Sequence, residues 1–267
     1  DHADIFDSVH DIQKQFHHLI RTVPSKGLIV MPSKCKNLDE VIAMGVWTPC
    51  VRIGEGGCLK AKLLKEDGSS FEIWRNDQLV AEVNFSCCGT YNVHNALMAI
   101  QAATYAGVDI KTAALALSEF KLPKRRLELR GNVNGISVYD DFAHHPTAIA
   151  LTIAGLKSHL GTKTKIIAVF EPRSNSMKLG ANHELLADAF KEADEIFVYD
   201  NGLLKWDVKA LSSQSIKPLH VISDFDALVD KVVNISSKGS AILVMSNGSF
   251  NGIHSKLLDR LALKKNS

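Results

Sequence analysis

The stretch "YDDFAHHPTAI", residues 139–149, sets Asp140, Asp141, His144 and His145 just ahead of Pro146. Carboxylates at such a spot can hold hydroxyls or cations. Imidazoles there can take up or release a proton near neutral pH. A second cluster, "KLPKRRLELRG", concentrates Lys124, Arg125, Arg126 and Arg130. A guanidinium fork suits phosphate oxygens, although a solvated basic hinge would read the same way. A third, "GTYNVHNAL", places Asn92 and Asn95 three residues apart, on one face of a helix start. Amides so placed can read the hydrogen-bonding edge of a base or a ribose, and they can equally cap the helix.

These residues need elements to position them. In the second half of the chain, strand-like and helix-like stretches alternate. "ISVYDD" is followed by "PTAIALTIAGLKSHL", with Pro146 at a favoured first-turn position. "KIIAVFEP" precedes "HELLADAFKEA", "EIFVYD" precedes "DFDALVDKVVNI", and "AILVMSNG" precedes "GIHSKLLDRLALKK". That alternation predicts a parallel sheet covered on both faces. The four strands end on Asp140 and Asp141, on Glu171-Pro172-Arg173, on Asp200-Asn201-Gly202 and on Ser246-Asn247-Gly248. The polar ends therefore share one edge of the sheet, where ligands of such folds bind. Asp and Asn after a strand are also ordinary turn and cap residues, so the pattern predicts a site without saying which.

The first half is mixed. "DIQKQFHHLIRT" and "LDEVIAM" read as helices, and "GLIVMP" and "PCVRIG" as strands. Alternating stretches from Cys58 to Phe85, with turns at Asp67-Gly68 and Asn76-Asp77, predict antiparallel hairpins. A helix over 92–106 stops at Gly107, and another covers about 111–120. The pattern breaks at "KLPKRR", which predicts a domain boundary there and domains of 1–125 and 126–267.

The remaining bounds are broad. The 267 residues are 46% apolar and carry a net charge of +2, so nothing electrostatic asks for a nucleic-acid or membrane partner. No apolar run approaches the roughly 20 residues that span a bilayer. The five cysteines are odd in number and form no C-x-x-C pair, which fits buried thiols in a cytoplasmic protein. The chain opens on "DHADIF" without an initiator Met and is expected to be part of a longer protein.

Taken together, "G-x-x-N-x-x-N-A-L", "K-R-R" and "Y-D-D-F-A-H-H-P-T" resemble, in order and spacing, the Mur ligase family, the ATP-dependent amide-forming enzymes of peptidoglycan synthesis. "FKLPKRRLELRG", "FEPRSNSMKLG" and "VMSNGSFNGIHSKLL" are similar to the branch of peptidoglycan recycling that joins L-alanyl-γ-D-glutamyl-meso-diaminopimelate to UDP-N-acetylmuramate. The resemblance implies an α/β fold: the later part of a central ATPase domain, then a Rossmann-like C-terminal domain with a mainly parallel sheet. It implies ATP and Mg²⁺ as cofactors, with the P-loop and its lysine upstream of this chain, so that this part alone would not catalyse. Nothing here matches G-x-x-x-x-G-K-[ST].

By position, the resemblance implies that His2 binds a metal, Asn92 and Asn95 face the adenine, Arg126 reaches the γ-phosphate and Asp141 holds the ribose. His144 or His145 would take the proton of the incoming amine, with His145 equally placed to cap the helix at Pro146. Arg173, Asn175, Ser176 and Lys178, with Ser246, Asn247 and Ser249, would bind carboxylates of the peptide. Several family members carry a carbamylated lysine downstream of the metal histidine. Here that stretch reads "QFHH", with His17 and no lysine, so none is expected. Two alternatives remain: a ligase adding L-alanine to the same sugar nucleotide, and a non-catalytic nucleotide-binding module.

Overall fold

The computed structural model describes residues 2–264. The chain divides into two compact units: Ile5–Leu122, and the residues from Pro123 onward together with those up to Asp4.

The earlier unit opens with α1 (Val9–Ile20), β1 (Ile29–Pro32), α2 (Lys36–Ala43) and β2 (Cys50–Ile53). β1 and β2 pair in parallel, Ile29 opposite Cys50. The predicted hairpins follow as β3 (Lys60–Leu63), β4 (Ser70–Arg75) and β5 (Gln78–Asn84), an antiparallel sheet in the order β3-β4-β5. Two helices complete the unit, α3 (Thr90–Tyr105) and α4 (Ile110–Ala116). α4 ends four residues before the predicted Phe120 and starts on its N-cap Asp109, whose carboxylate accepts the N–H groups of Lys111 and Thr112. The core of this unit is Ile53, Leu59, Phe71, Ile73, Leu97 and Ile100, none more than 1% exposed.

The later unit comprises β6 (Glu128–Val133), β7 (Ile136–Asp141), α5 (Pro146–Leu160), β8 (Ile166–Phe170), α6 (Asn175–Leu179), α7 (Leu186–Ala189), β9 (Glu195–Tyr199), α8 (Leu211–Gln214), β10 (Leu219–Ile222), α9 (Phe225–Ile235), β11 (Ala241–Met245) and α10 (Ile253–Leu263). Its six strands lie in the order β10-β9-β8-β11-β7-β6. All neighbours are parallel except β6, which pairs antiparallel with β7. Two strands escaped the sequence reading. β10 is only four residues long and β6 is rich in charge, and both are edge strands, which need fewer apolar residues. "HELLADAFKEA" is not one helix: a 3₁₀ turn at His183–Leu185 leads into the single turn of α7, and Phe190 closes it.

Strand alternation sorts the core into two layers. On β8, Ile166, Ala168 and Phe170 face one side with Ile149, Ile153 and Leu156 of α5. Ile167 and Val169 face the other, with Val229 and Val232 of α9 and Leu257 of α10. The same alternation sends the adjacent aspartates at the end of β7 apart: Asp141 towards Thr152 of α5, Asp140 towards His254 of α10. Strand β11 lies between β7 and β8. The loops after β7 and β8 thus leave the sheet on either side of it, a reversal of strand order that opens a crevice at the carboxyl ends.

The helix layer is tied to the sheet by Asp194. Its Oδ2 accepts from Lys157 Nζ and from the Ile166 N–H, both at 2.8 Å. Burial pushes the Asp194 carboxyl up, but Lys157 and the Ile166 N–H outweigh it and hold it below the ordinary value. A lowered folded-state pKa gives stability that is present above the unfolded value and lost as pH falls through the folded one. Asp194→Asn should therefore cost about 1 kcal/mol at pH 7. The cost should shrink below about pH 4, as urea unfolding at the two pH values would show.

Candidate functional site

At the carboxyl ends of the later unit's strands lies a cavity of about 360 Å³. Arg173, Asn175, Ser176 and Lys178 line it from the loop and helix after β8, His144 from the loop after β7, and Asn247 from the loop after β11. His2 and Asp4 complete the lining. Short-range chemistry sets each wall. Ser174 caps α6 through its hydroxyl, which accepts the Met177 N–H at 3.2 Å. Trp206 buttresses the same turn by donating its indole N–H to the Met177 carbonyl at 2.7 Å. The Asn175 amide donates to Asp4 Oδ2 at 2.9 Å, and Ser176 Oγ accepts the Ala3 N–H at 3.1 Å.

The histidines part company. His144 Nδ1 lies 2.9 Å from the Phe142 carbonyl. A carbonyl only accepts, so the proton is on Nδ1 and the basic lone pair on Nε2. His145 is the N-cap of α5: its Nδ1 accepts the Thr147 N–H at 3.3 Å. Burial lowers the His145 pKa, which favours the neutral ring that this cap requires.

Two of the predicted ligands fall elsewhere. Ser246 is buried, donates to Glu171 Oε2 at 2.6 Å and accepts the Gly248 N–H at 2.9 Å, so its hydroxyl ties strand ends together. Ser249 lines a separate cavity of about 220 Å³ with Arg125, Arg130, Asp140 and His254. Asn247 does line the main cavity, and its Oδ1 is buried without a hydrogen-bond donor among the described residues. Gly248 has a steric reason to be glycine. A Cβ there would come within 2.4 Å of Arg173 Nη1 and 2.5 Å of its Cδ. Gly248→Ala should push Arg173 out of the cavity.

Asp141 is 2% exposed, and its carboxylate is already engaged. Oδ2 accepts the Leu127 N–H and Oδ1 the Ala143 N–H, each at 2.8 Å, and the Thr152 hydroxyl lies 3.3 Å from Oδ1. Arg126 is exposed, its Cζ 6.0 Å from the centre of the Phe142 ring. Asp140, which the sequence singled out but gave no partner, is also 2% exposed. Arg125 Nε lies 3.4 Å from Oδ2, Arg130 Nη1 3.3 Å from Oδ2, and His254 Nε2 3.2 Å from Oδ1. The histidine contact has ion-pair distance but poor hydrogen-bond alignment. Burial raises the Asp140 pKa, but His254 and Arg125 overcome it, leaving the carboxyl below its ordinary value.

In the earlier unit, Asn92 sits in the first turn of α3 and donates to the Cys88 carbonyl at 2.7 Å, while Asn95, a turn further on, is exposed. His17 Nε2 lies 3.0 Å from the Gly45 carbonyl. Among the described residues no three His, Cys, Asp or Glu side chains converge to hold a metal ion. The described side chains thus do not form a metal shell by themselves. No helix of the described residues is long and apolar enough to cross a membrane.

The later unit thus carries a switch-point cavity in a sheet covered on both faces, and a separate α/β unit precedes it in the chain. The chain belongs to the Mur ligase family: residues 1–103 match the Mur ligase middle domain, and residues 125–248 match the Mur ligase, glutamate ligase domain. Over 264 residues it is 49% identical to the UDP-N-acetylmuramate–L-alanyl-γ-D-glutamyl-meso-2,6-diaminoheptandioate ligase of Escherichia coli, a match covering 99% of this chain and 58% of that one. A UDP-N-acetylmuramate–L-alanine ligase from Caldicellulosiruptor bescii is 31% identical, covering 99% and 59%. Among solved structures, a murein peptide ligase from Psychrobacter arcticus superposes with a TM-score of 0.72 at 42% identity, covering 98% of this chain and 57% of that one. The chain thus spans a little under three-fifths of the length of these relatives.

Proposed function

We propose that this chain is the nucleotide- and peptide-handling part of an ATP-dependent ligase that joins L-alanyl-γ-D-glutamyl-meso-diaminopimelate to UDP-N-acetylmuramate. The observation that carries this reading is the strand-end cavity, where Arg173 and Lys178 outnumber the one carboxylate, Asp4. A peptide bearing several carboxylates suits that balance better than alanine does. The greater identity to the tripeptide ligase than to the alanine ligase points the same way.

In this reading the lactyl carboxylate of the sugar nucleotide attacks the γ-phosphorus of ATP, releasing ADP and forming an acyl phosphate. The peptide's α-amine then adds to the activated carbonyl, the tetrahedral intermediate expels phosphate, and an amide remains. Arg126, exposed at the start of the later unit, neutralises charge on the transferring phosphoryl oxygens. His144 takes the ammonium proton on Nε2. Arg173 and Lys178 hold peptide carboxylates, with Asn175, Ser176 and Asn247 as polar partners. Asn92 and Asn95 serve the adenine, and Asp141, buried with its carboxylate engaged, serves the ribose side only through the Leu127 turn that it holds. Mg²⁺ would accompany the triphosphate, whose oxygens are its natural ligands, and His2 is the side chain assigned to it here.

The test is phosphate release by the full-length protein with ATP, UDP-N-acetylmuramate and either the tripeptide or L-alanine. Turnover is expected with the tripeptide, and turnover with L-alanine alone would overturn the reading. In the same assay Gly248→Ala should raise the KM for the tripeptide about tenfold, the effect of losing one charge-assisted contact, with kcat little changed.

A further inference from the structure

Arg126 stands between two residues in the left-handed region: Arg125 at φ 64° and Leu127 at φ 46°. Neither is glycine, so both are strained, and something must hold them. Leu127 is held by its N–H to Asp141 Oδ2. Arg125 is held at several points. Its N–H donates to Glu128 Oε2 at 2.8 Å, and its carbonyl accepts the Phe142 N–H at 3.0 Å. Its guanidinium spans Asp140 and the Ser246 carbonyl and covers the Phe142 ring at 5.2 Å. Two adjacent aspartates, pointing to opposite faces of the sheet, thus pin the residues on either side of one exposed arginine.

We propose that Asp140 is a positioning residue for Arg126. Its buried carboxylate fixes the Arg125 guanidinium, and through it the strained turn that presents Arg126 in one orientation. The inference rests on the phosphoryl-facing role given to Arg126 above. Arg130 and His254 meet the same carboxylate from β6 and α10, so a simple structural role for Asp140 is the competing explanation.

A double-mutant cycle separates the two. The full-length ligase is assayed as wild type, Asp140→Asn, Arg126→Ala and the double variant, with folding checked by circular dichroism. Asp140→Asn alone should lower kcat about tenfold with the ATP KM nearly unchanged, as expected for a misaimed group that acts in the transition state. In the Arg126→Ala background the same change should lower kcat less than about twofold, because coupled residues are not additive. Equal fold losses in both backgrounds, or an undiminished kcat for folded Asp140→Asn, would overturn the proposal. If Asp140→Asn does not fold, Arg125→Gln breaks the same contact from the more exposed side, and the same pattern is required of it. A full kcat for Arg126→Ala would instead remove the role of Arg126, and the proposal with it.

Discussion

On the proposed reading, Arg126→Ala in the full-length protein should lower kcat for tripeptide ligation by about a hundredfold or more, and leave stability within about 0.5 kcal/mol of wild type. The first expectation follows from the role proposed for the guanidinium. A preorganised donor aimed at charge that appears only in the transition state contributes about 10²–10³ in rate, roughly 3–4 kcal/mol. The second follows from exposure. Arg126 projects from its turn and packs only loosely on Phe142, so its truncation leaves no cavity and no stranded buried partner. Arg126→Lys restores charge without the fork and should recover part of the loss. Steady-state phosphate release with urea unfolding of the same samples checks both halves. A kcat within twofold of wild type would remove Arg126 from the chemistry. A kcat loss accompanied by an equal loss of stability would mean that the turn, not the side chain, had been disturbed.

How much of this was legible beforehand depends on how each element earns its burial. β7, β8, β9 and β11 are central strands covered on both faces, so they read as unbroken apolar runs such as "KIIAVF" and "AILVM". β6 and β10 are edges, and "LELRGNV" and "LHVI" carry too little periodicity to stand out. The site was legible to the level of loops. Arg173, Asn175, Ser176, Lys178, His144 and Asn247 do meet in one cavity, because strand order brings the ends of β7, β8 and β11 together. Finer distinctions were not legible. Ser246, Asn247 and Ser249 are near neighbours in sequence, yet one is a buried tie, one lines the main cavity and one lines another. Their divergence comes from backbone geometry, with Phe250 and Asn251 both at positive φ just beyond. Asp140 and Asp141 look interchangeable in "YDD", and only the pleat of the strand sends them to different partners.

Asp141→Ala is the change expected to cost most in stability. It strands the buried N–H of Ala143 and the part-buried N–H of Leu127, and removes a partner from the Thr152 hydroxyl. Each unsatisfied group costs about 1–3 kcal/mol, and because they share one acceptor the costs overlap, giving about 2–4 kcal/mol in all. Asp141→Asn should cost less, since it keeps one acceptor oxygen while turning an amide towards a donor. The pH dependence has a definite sign. Burial raises the Asp141 pKa above the ordinary carboxylate value, and the Leu127 and Ala143 N–H groups and Arg126 offset this only in part. A group with a raised folded-state pKa stabilises fully below its unfolded value, near 4, and loses that contribution as pH climbs through the folded one. The penalty for Asp141→Ala should therefore be greatest in mild acid and smaller at pH 8, the reverse of Asp194→Asn. With Leu127 released, the turn bearing Arg126 relaxes, and the KM for ATP should rise as well. Urea unfolding at pH 5 and pH 8 decides the stability claim: a penalty that grows with pH would mean that Asp141 acts as an ion pair with Arg126 and not as a buried acceptor for backbone N–H groups.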